Sequence, residues 1–156
     1  MRLTISLTLC CLLLASCAGV GPLNTPTSNP EVTINSKNRK RIKEVLLATY
    51  AGNGFTILGD TEYTLTAQRP LDAGAAMLYQ VALGNAYSSA PQMVVTTTIA
   101  PLGETTKVYA HIGVAMQGAF GQNQGTNLDH GKAGNELQAH LETIKAQVEA
   151  TSEGSQ

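Results

Sequence analysis

Tryptophan is absent from this sequence of 156 residues, and phenylalanine occurs only twice. Because aromatic side chains usually supply much of the buried area of a core, this core must depend on Leu, Ile, Val, Ala and Met. The chain is long enough for one domain. After the first seventeen residues, no apolar run approaches the roughly 20 residues of a membrane-spanning helix.

An excess of charge of either sign is also lacking, because the net charge is −1 at pH 7. Proteins that bind nucleic acid usually carry a strong positive charge, which attracts the phosphate backbone. We therefore expect no nucleic-acid partner.

Cysteine is confined to the N-terminal segment, where it occurs as Cys10, Cys11 and Cys17. The remainder of the chain has no thiol. It therefore cannot form an internal disulfide, a thiolate metal site or a cysteine nucleophile.

The motifs of common enzymes are missing as well. The sequence has no H-E-x-x-H, G-x-S-x-G or S-x-x-K motif, and its Gly-rich turns lack the Lys of a phosphate-binding loop. His130 and His140 are ten residues apart, so on a helix they point in different directions and cannot share a metal. We expect no catalytic residue, no metal and no cofactor, and predict that the chain is not an enzyme.

The N-terminal segment is the most informative part of the sequence. A positive start at Met1-Arg2 precedes an apolar run from Leu3 to Leu14. A charged start, an apolar stretch of about 7–15 residues and small residues at a cut site make up an export signal. The alternatives are an ordinary signal peptide and a buried helix, but a buried helix would show an amphipathic face.

The segment resembles the signal peptide and lipobox of bacterial lipoproteins, and Leu14-Ala15-Ser16-Cys17 matches all four lipobox positions. The resemblance implies that residues 1–16 are removed and that Cys17 carries a diacylglyceryl group and an acyl chain such as palmitate. Each buried CH₂ contributes about 0.8 kcal/mol, so several chains would hold the protein on a membrane. In a Gram-negative host, Ala18 in place of Asp implies the outer membrane, on its periplasmic side.

Residues 17–36 are predicted to be the lipidated Cys and a flexible tether. Pro22, Pro26 and Pro30 recur among Gly, Asn, Thr and Ser, and such a segment buries too little apolar surface to offset the entropy of ordering. Its end-to-end distance would be about 25 Å. We place a single domain at residues 37–150 and a disordered tail at residues 151–156.

The first predicted helix spans residues 37–50, with Ser36 as its N-cap. A basic segment occupies its first half and consists of Lys37, Arg39, Lys40, Arg41 and Lys43. One interpretation is a patch that binds anionic lipid headgroups or an acidic partner. The other, which we favour, is a solvated helix face, because a run of charges usually has no further role.

Two more helices are predicted. The second spans residues 72–85, with Asp72 as its cap, and we interpret Met77 and Tyr79 in it as core residues rather than as a ligand pocket. The last spans residues 129–150. Its apolar stripe consists of Ala133, Leu137, Leu141, Ile144 and Val148.

Four strands are predicted, at residues 54–58, 61–68, 92–100 and 105–117. In the last one, every second residue from Val108 to Met116 is predicted to face the core. The residues between them, which include Tyr109 and His111, face outward. The sequence therefore predicts an α+β fold: roughly four antiparallel strands covered on one face by two long helices, with a third shorter helix. This order is similar to that of helix-and-sheet lipoproteins of the outer-membrane barrel-assembly machinery, a likeness of fold alone.

Residues 118–127 are predicted to be a loop rich in Gly, Gln and Asn around Phe120. Loops on a rigid scaffold often bind ligands, so Phe120 is a candidate recognition anchor. The alternative is a long flexible connection with Phe120 tucked against the sheet.

Three functions remain open. The first, which we favour, is a protein-interaction or envelope-assembly module, with the membrane and an envelope protein as partners. The second is a carrier of a lipid or another small apolar ligand. The third is an enzyme with a site around His111 and Tyr109, which predicts a cleft beside His111.

Overall fold

A computed structural model describes residues 23–83, 88–118 and 120–153 of the chain. The signal segment, Cys17 and residues 18–22 lie outside these ranges, as do residues 84–85 of the second predicted helix and residues 154–156 of the predicted tail. The described elements are β1 (Glu31–Ile34), α1 (Arg39–Gly52), β2 (Thr56–Asp60), β3 (Thr64–Pro70), α2 (Ala73–Leu83), β4 (Gln92–Leu102), β5 (Thr105–Gln117), β6 (Asn123–Asn127) and α3 (Lys132–Glu153).

The described strands form one antiparallel sheet of six strands, in which β2, β3, β4 and β5 are neighbours in that order. Strands β1 and β6 share the outer edge of β5. Strand β1 pairs with residues 106–109 of β5, and β6 pairs with residues 113–117. The prediction of a mixed helix-and-sheet fold is confirmed, but the expected number of four strands is wrong.

Strand β1 lies inside the segment predicted to be a flexible tether, and that prediction is wrong for Glu31–Ile34. Val32 and Ile34 are buried in the core. The side chain of Gln138 on α3 accepts a hydrogen bond from Glu31 N at 2.8 Å and donates one to Glu31 O at 3.1 Å. Leu23 is buried as well. The ordered domain therefore begins well before residue 37.

Strand β6 lies inside the segment predicted to be a loop around Phe120, which corrects that prediction for Asn123–Asn127. Its sequence has no apolar alternation, so periodicity could not reveal it. Glycine makes the pairing possible: a Cβ atom at Gly125 would lie only 2.6 Å from the carbonyl oxygen of Val114 on β5. A larger residue at this position would push the two strands apart.

The core lies between one face of the sheet and helices α1 and α3, so the predicted cover of two long helices is observed. The inward face of β5 agrees with the predicted alternation, because Val108, Ala110, Ile112, Val114 and Met116 are all buried. The stripe on α3 is also confirmed from Leu137 to Val148, while Ala133 is half-buried against the same cluster. Fully buried residues of this core include Ile34, Ile42, Leu46, Leu65, Val108 and Leu141.

The boundaries of α1 and α3 differ from the predictions. Helix α1 begins at Arg39, because Asn38 rather than Ser36 is its N-cap and accepts a hydrogen bond from Arg41 N at 3.0 Å. Helix α3 begins at Lys132 and continues to Glu153. Residues 151–153 of the predicted disordered tail are therefore helical.

Candidate functional site

Helix α2 is capped as predicted, because Asp72 Oδ1 accepts a hydrogen bond from Ala75 N at 2.9 Å. None of its residues is buried, however. Met77, Leu78 and Val81 are 71%, 73% and 81% exposed. The prediction that Met77 is a core residue is wrong, and Tyr79 is only half-buried. A helix this short is marginal in water unless it packs against something.

Phe120 is 95% exposed in the turn between β5 and β6. The interpretation in which it tucks against the sheet is therefore wrong. Gly121 follows it with a φ of +79°, a conformation that favours glycine. The role of Phe120 as a recognition anchor stays a prediction.

Helix α2 and Phe120 project from the same end of the sheet. Helix α2 leaves the end of β3 and the chain returns to the start of β4, which pairs with the end of β5. Ser89, just before β4, is hydrogen-bonded to Gln117 at the end of β5, with N to O at 2.8 Å. We refer to α2 together with Phe120 as the apolar end.

The sequence around the apolar end is free of charge. The chain has no Asp, Glu, Lys or Arg from Ala73 to Gly103, nor from Ile112 to Leu128. Arg69 and Asp72 at the root of α2 are the nearest charges along the chain on its N-terminal side. Because these two stretches carry no charge, moving them out of water would cost little free energy for removing water from charged groups.

The basic segment lies at the opposite end of the sheet, where four of its five cations pair with carboxylates. Lys37 contacts Glu104 at 2.6 Å, and Arg39 contacts Glu62 at 2.8 Å. The other two ion pairs are Arg41–Glu44 and Lys43–Asp60. Because most of its charge is matched locally, the pairing favours a solvated face rather than a patch for an acidic partner.

His111 lies on the uncovered face of the sheet, beside a carboxylate that the sequence did not place there. Its Nδ1 lies 2.7 Å from Oδ2 of Asp129, whose side chain is 1% exposed. Asp129 also accepts hydrogen bonds from Ile112 N at 2.7 Å and from Asn127 Nδ2 at 2.8 Å. Burial alone would raise the pKa of Asp129, but the hydrogen bonds from His111, Ile112 and Asn127 outweigh it and lower the pKa.

The surface beside His111 is a wide, shallow depression rather than the predicted cleft. Val94, Thr96, Gly113 and Ala115 line it together with His111. Buried Asp129 can orient the imidazole, as the carboxylate does in a catalytic histidine pair. The hypothesis of an enzyme with a site around His111 and Tyr109 stays a prediction.

A deeper pocket, the end pocket, opens between α1, α3 and the sheet, at the sheet end that also bears α2. Its cavity volume is about 70 Å³. Tyr50, Phe55, Met93, Val95, Ile112 and Leu137 supply the apolar lining, with Arg69, Glu136 and His140 among the polar residues. Tyr50 is fixed by a 2.5 Å hydrogen bond between its hydroxyl and Thr97 Oγ1, and burial raises its pKa to about 12.

Arg69 is the cation of the end pocket. Its guanidinium lies 4.8 Å from the centroid of the Phe55 ring, and its Nη1 donates to Asn53 O at 3.3 Å. It forms no ion pair with a carboxylate among the described side chains. Arg69 was not selected from the sequence, because no local pattern shows that residues of α1, α3 and the sheet meet beside it to form a pocket.

No protein family, no curated protein and no solved structure matches this chain. Among the described residues, no helix is both long and apolar enough to cross a membrane. The described His, Asp and Glu side chains also form no group of three that could hold a metal ion.

Proposed function

We propose that this chain is a lipoprotein anchored through acylated Cys17 on the periplasmic side of the outer membrane, where it acts as a docking module in envelope assembly. The resemblance of residues 1–17 to a lipoprotein signal supports the anchor. The observation that carries the docking role is the exposure of Met77, Leu78 and Val81 together with Phe120.

An exposed cluster of large apolar side chains marks an interaction surface, because single proteins in water rarely tolerate one without a role. Burying a side chain such as Leu, Val, Met or Phe stabilises a complex by about 1.5–3 kcal/mol if it was fully exposed before. The apolar end offers four such side chains and no charged group on α2 itself. Contact with another envelope component would therefore cover it at little electrostatic cost.

Hydrogen exchange of the α2 backbone tests this function. The acylated protein in native membrane vesicles is compared with a soluble Cys17→Ser form exported behind an ordinary signal peptide. We expect the amides of residues 76–83 to exchange at least tenfold more slowly in the membrane sample. The amides of β4, in the centre of the sheet, are the internal control and should not change.

The Leu78→Lys substitution provides the matched variant, because a charge on α2 should prevent docking without disturbing the core. Leu102→Lys, at the opposite end of the sheet, is its control. Equal exchange of α2 in the membrane-bound and soluble proteins would contradict the docking role.

A second candidate function is a carrier of a small apolar ligand, which the end pocket favours. The pocket combines an apolar lining with Arg69, which has no ionic partner among the described carboxylates, so an apolar molecule with a carboxylate would suit it. Native mass spectrometry of the protein purified from cells should show a bound small molecule that the Arg69→Gln variant has lost. A spectrum of the unliganded chain alone in both samples would argue against a carrier.

A further inference from the structure

The domain lies closer to its lipid anchor than the sequence led us to expect. Leu23 is the first residue that the structure describes, and it is 9% exposed; Cys17 lies six residues before it in the chain. Six fully extended Cα–Cα steps cover at most about 22 Å. A domain on so short a connection is in frequent contact with the bilayer. We expect it to turn towards the bilayer the surface that loses the least hydration free energy when it leaves water.

The distribution of charge indicates which surface faces the bilayer. The end of the sheet that carries the basic segment also holds Asp60, Glu62 and Glu104, and these charges would lose hydration in a bilayer. The apolar end has no charge between Ala73 and Gly103. The charged side chains that share its end of the sheet, Arg69 and Glu136, line the end pocket rather than α2. Arg69, at the root of α2, would lie at the level of the headgroups, where a cation is attracted to anionic lipids.

The form of α2 also fits a lipid surface. Its sequence is apolar except for Gln80 and the hydroxyl of Tyr79, and a helix that is hydrophobic all round is ordinarily buried in a large core or spans a membrane, rather than facing water. With 11 residues it is about 16 Å long, too short to span a bilayer but able to lie in its interface. A protein interface would normally include a polar rim with one hydrogen bond for every 100–200 Å² or so.

We infer that the component covering the apolar end is the bilayer that holds acylated Cys17. Helix α2 lies in the membrane interface with the Phe120 turn beside it, and the charged end of the sheet points away from the membrane. This inference rests on the proposed function, because it requires the lipid anchor to hold the domain at the surface.

The absence of tryptophan from the chain provides a direct test. Full-length mature protein, with acylation of Cys17 verified by mass, is reconstituted into protein-free vesicles of phosphatidylethanolamine and phosphatidylglycerol with brominated acyl chains. Single tryptophans are introduced by Leu78→Trp on α2, Phe120→Trp in the turn and Leu102→Trp at the opposite end. Leu102 is the matched control, because it is also an exposed apolar residue, at 56%.

We expect brominated lipid to reduce the emission of the Leu78→Trp and Phe120→Trp proteins at least twofold, with a shift to shorter wavelength. The Leu102→Trp protein should be unaffected. Adding Val81→Lys to the Leu78→Trp protein should remove the quenching, while the protein still floats with the vesicles and keeps its circular dichroism spectrum.

The outcomes separate this inference from the proposed function. If the acylated protein floats with vesicles but Leu78→Trp is quenched no more than Leu102→Trp, the inference is overturned and the anchor stands. Protection of α2 in native membranes without quenching in protein-free vesicles would overturn it too, in favour of a protein partner. A chain without acyl groups on Cys17 would overturn both.

Discussion

The carboxylate of Asp129 joins three parts of the chain that are distant in sequence. It accepts hydrogen bonds from His111 and Ile112 on β5 and from Asn127 at the end of β6. Sequence reasoning selected His111 as a candidate but placed Asp129 at the start of the last helix. The contact between His111 and Asp129 depends on the register between β5 and β6 and on the path of the chain after β6. Neither of these can be predicted from a local sequence pattern.

Asp129 should also make stability depend on pH. Its pKa in the folded protein is below its ordinary value of 3.8, so the folded state favours the ionised form. The resulting stabilisation is fully present above about pH 5 and is lost as the pH falls through the folded pKa. We expect Asp129→Asn to lower the free energy of unfolding by about 2–3 kcal/mol at pH 7, because hydrogen bonds to a charged group are lost.

Urea denaturation between pH 3 and pH 7 measures this effect. The difference between wild type and Asp129→Asn should shrink steadily as the solution becomes more acidic. The exposed carboxylate of Glu136 provides the control, since Glu136→Gln should change stability by no more than about 0.5 kcal/mol. A difference between wild type and Asp129→Asn that stayed constant with pH would be inconsistent with this account of the lowered pKa.

Among the elements, those with a long apolar pattern could be predicted from sequence. Strand β5 has the predicted bounds of residues 105–117, and α3 buries the predicted stripe. Strands β1 and β6 were missed, because each is short and borders segments rich in Pro, Asn or Gly. Helix α2 was identified, but its pattern could not show that Met77, Leu78 and Val81 are exposed.

Strand β1 provides a sharp test at this scale. Ile34 is fully buried and Thr33 is exposed on the other face of the strand. We expect Ile34→Ala to lower the free energy of unfolding by about 2–5 kcal/mol through the cavity that it leaves in the core. Thr33→Ala should have an effect near 0.5 kcal/mol, as is usual for surface positions.

Thermal and urea unfolding of the two variants make this comparison. Equal, small effects of Ile34→Ala and Thr33→Ala would mean that residues 31–34 act as a tether after all. The same result would lengthen the connection to Cys17 and weaken the argument that the domain is held against the bilayer.

The whole molecule is polarised from one end of its sheet to the other. Ion pairs between α1 and the strand turns occupy one end, and the uncharged helix α2 and Phe120 occupy the opposite end. With the apolar end on a membrane, the ion-paired end would point away from the membrane. The composition could not show that the two ends differ in charge, because the overall charge of −1 is a sum over the whole chain.

The anchor is the central claim, since docking, orientation and location all depend on Cys17. The most direct test is the intact mass and the N-terminal peptide of the protein extracted from the membranes of cells that make it from the natural sequence. We predict a chain that begins at Cys17 and carries a diacylglyceryl group on sulfur and a fatty acyl group on nitrogen. An intact Met1, or a Cys17 free of acyl chains, would contradict this account.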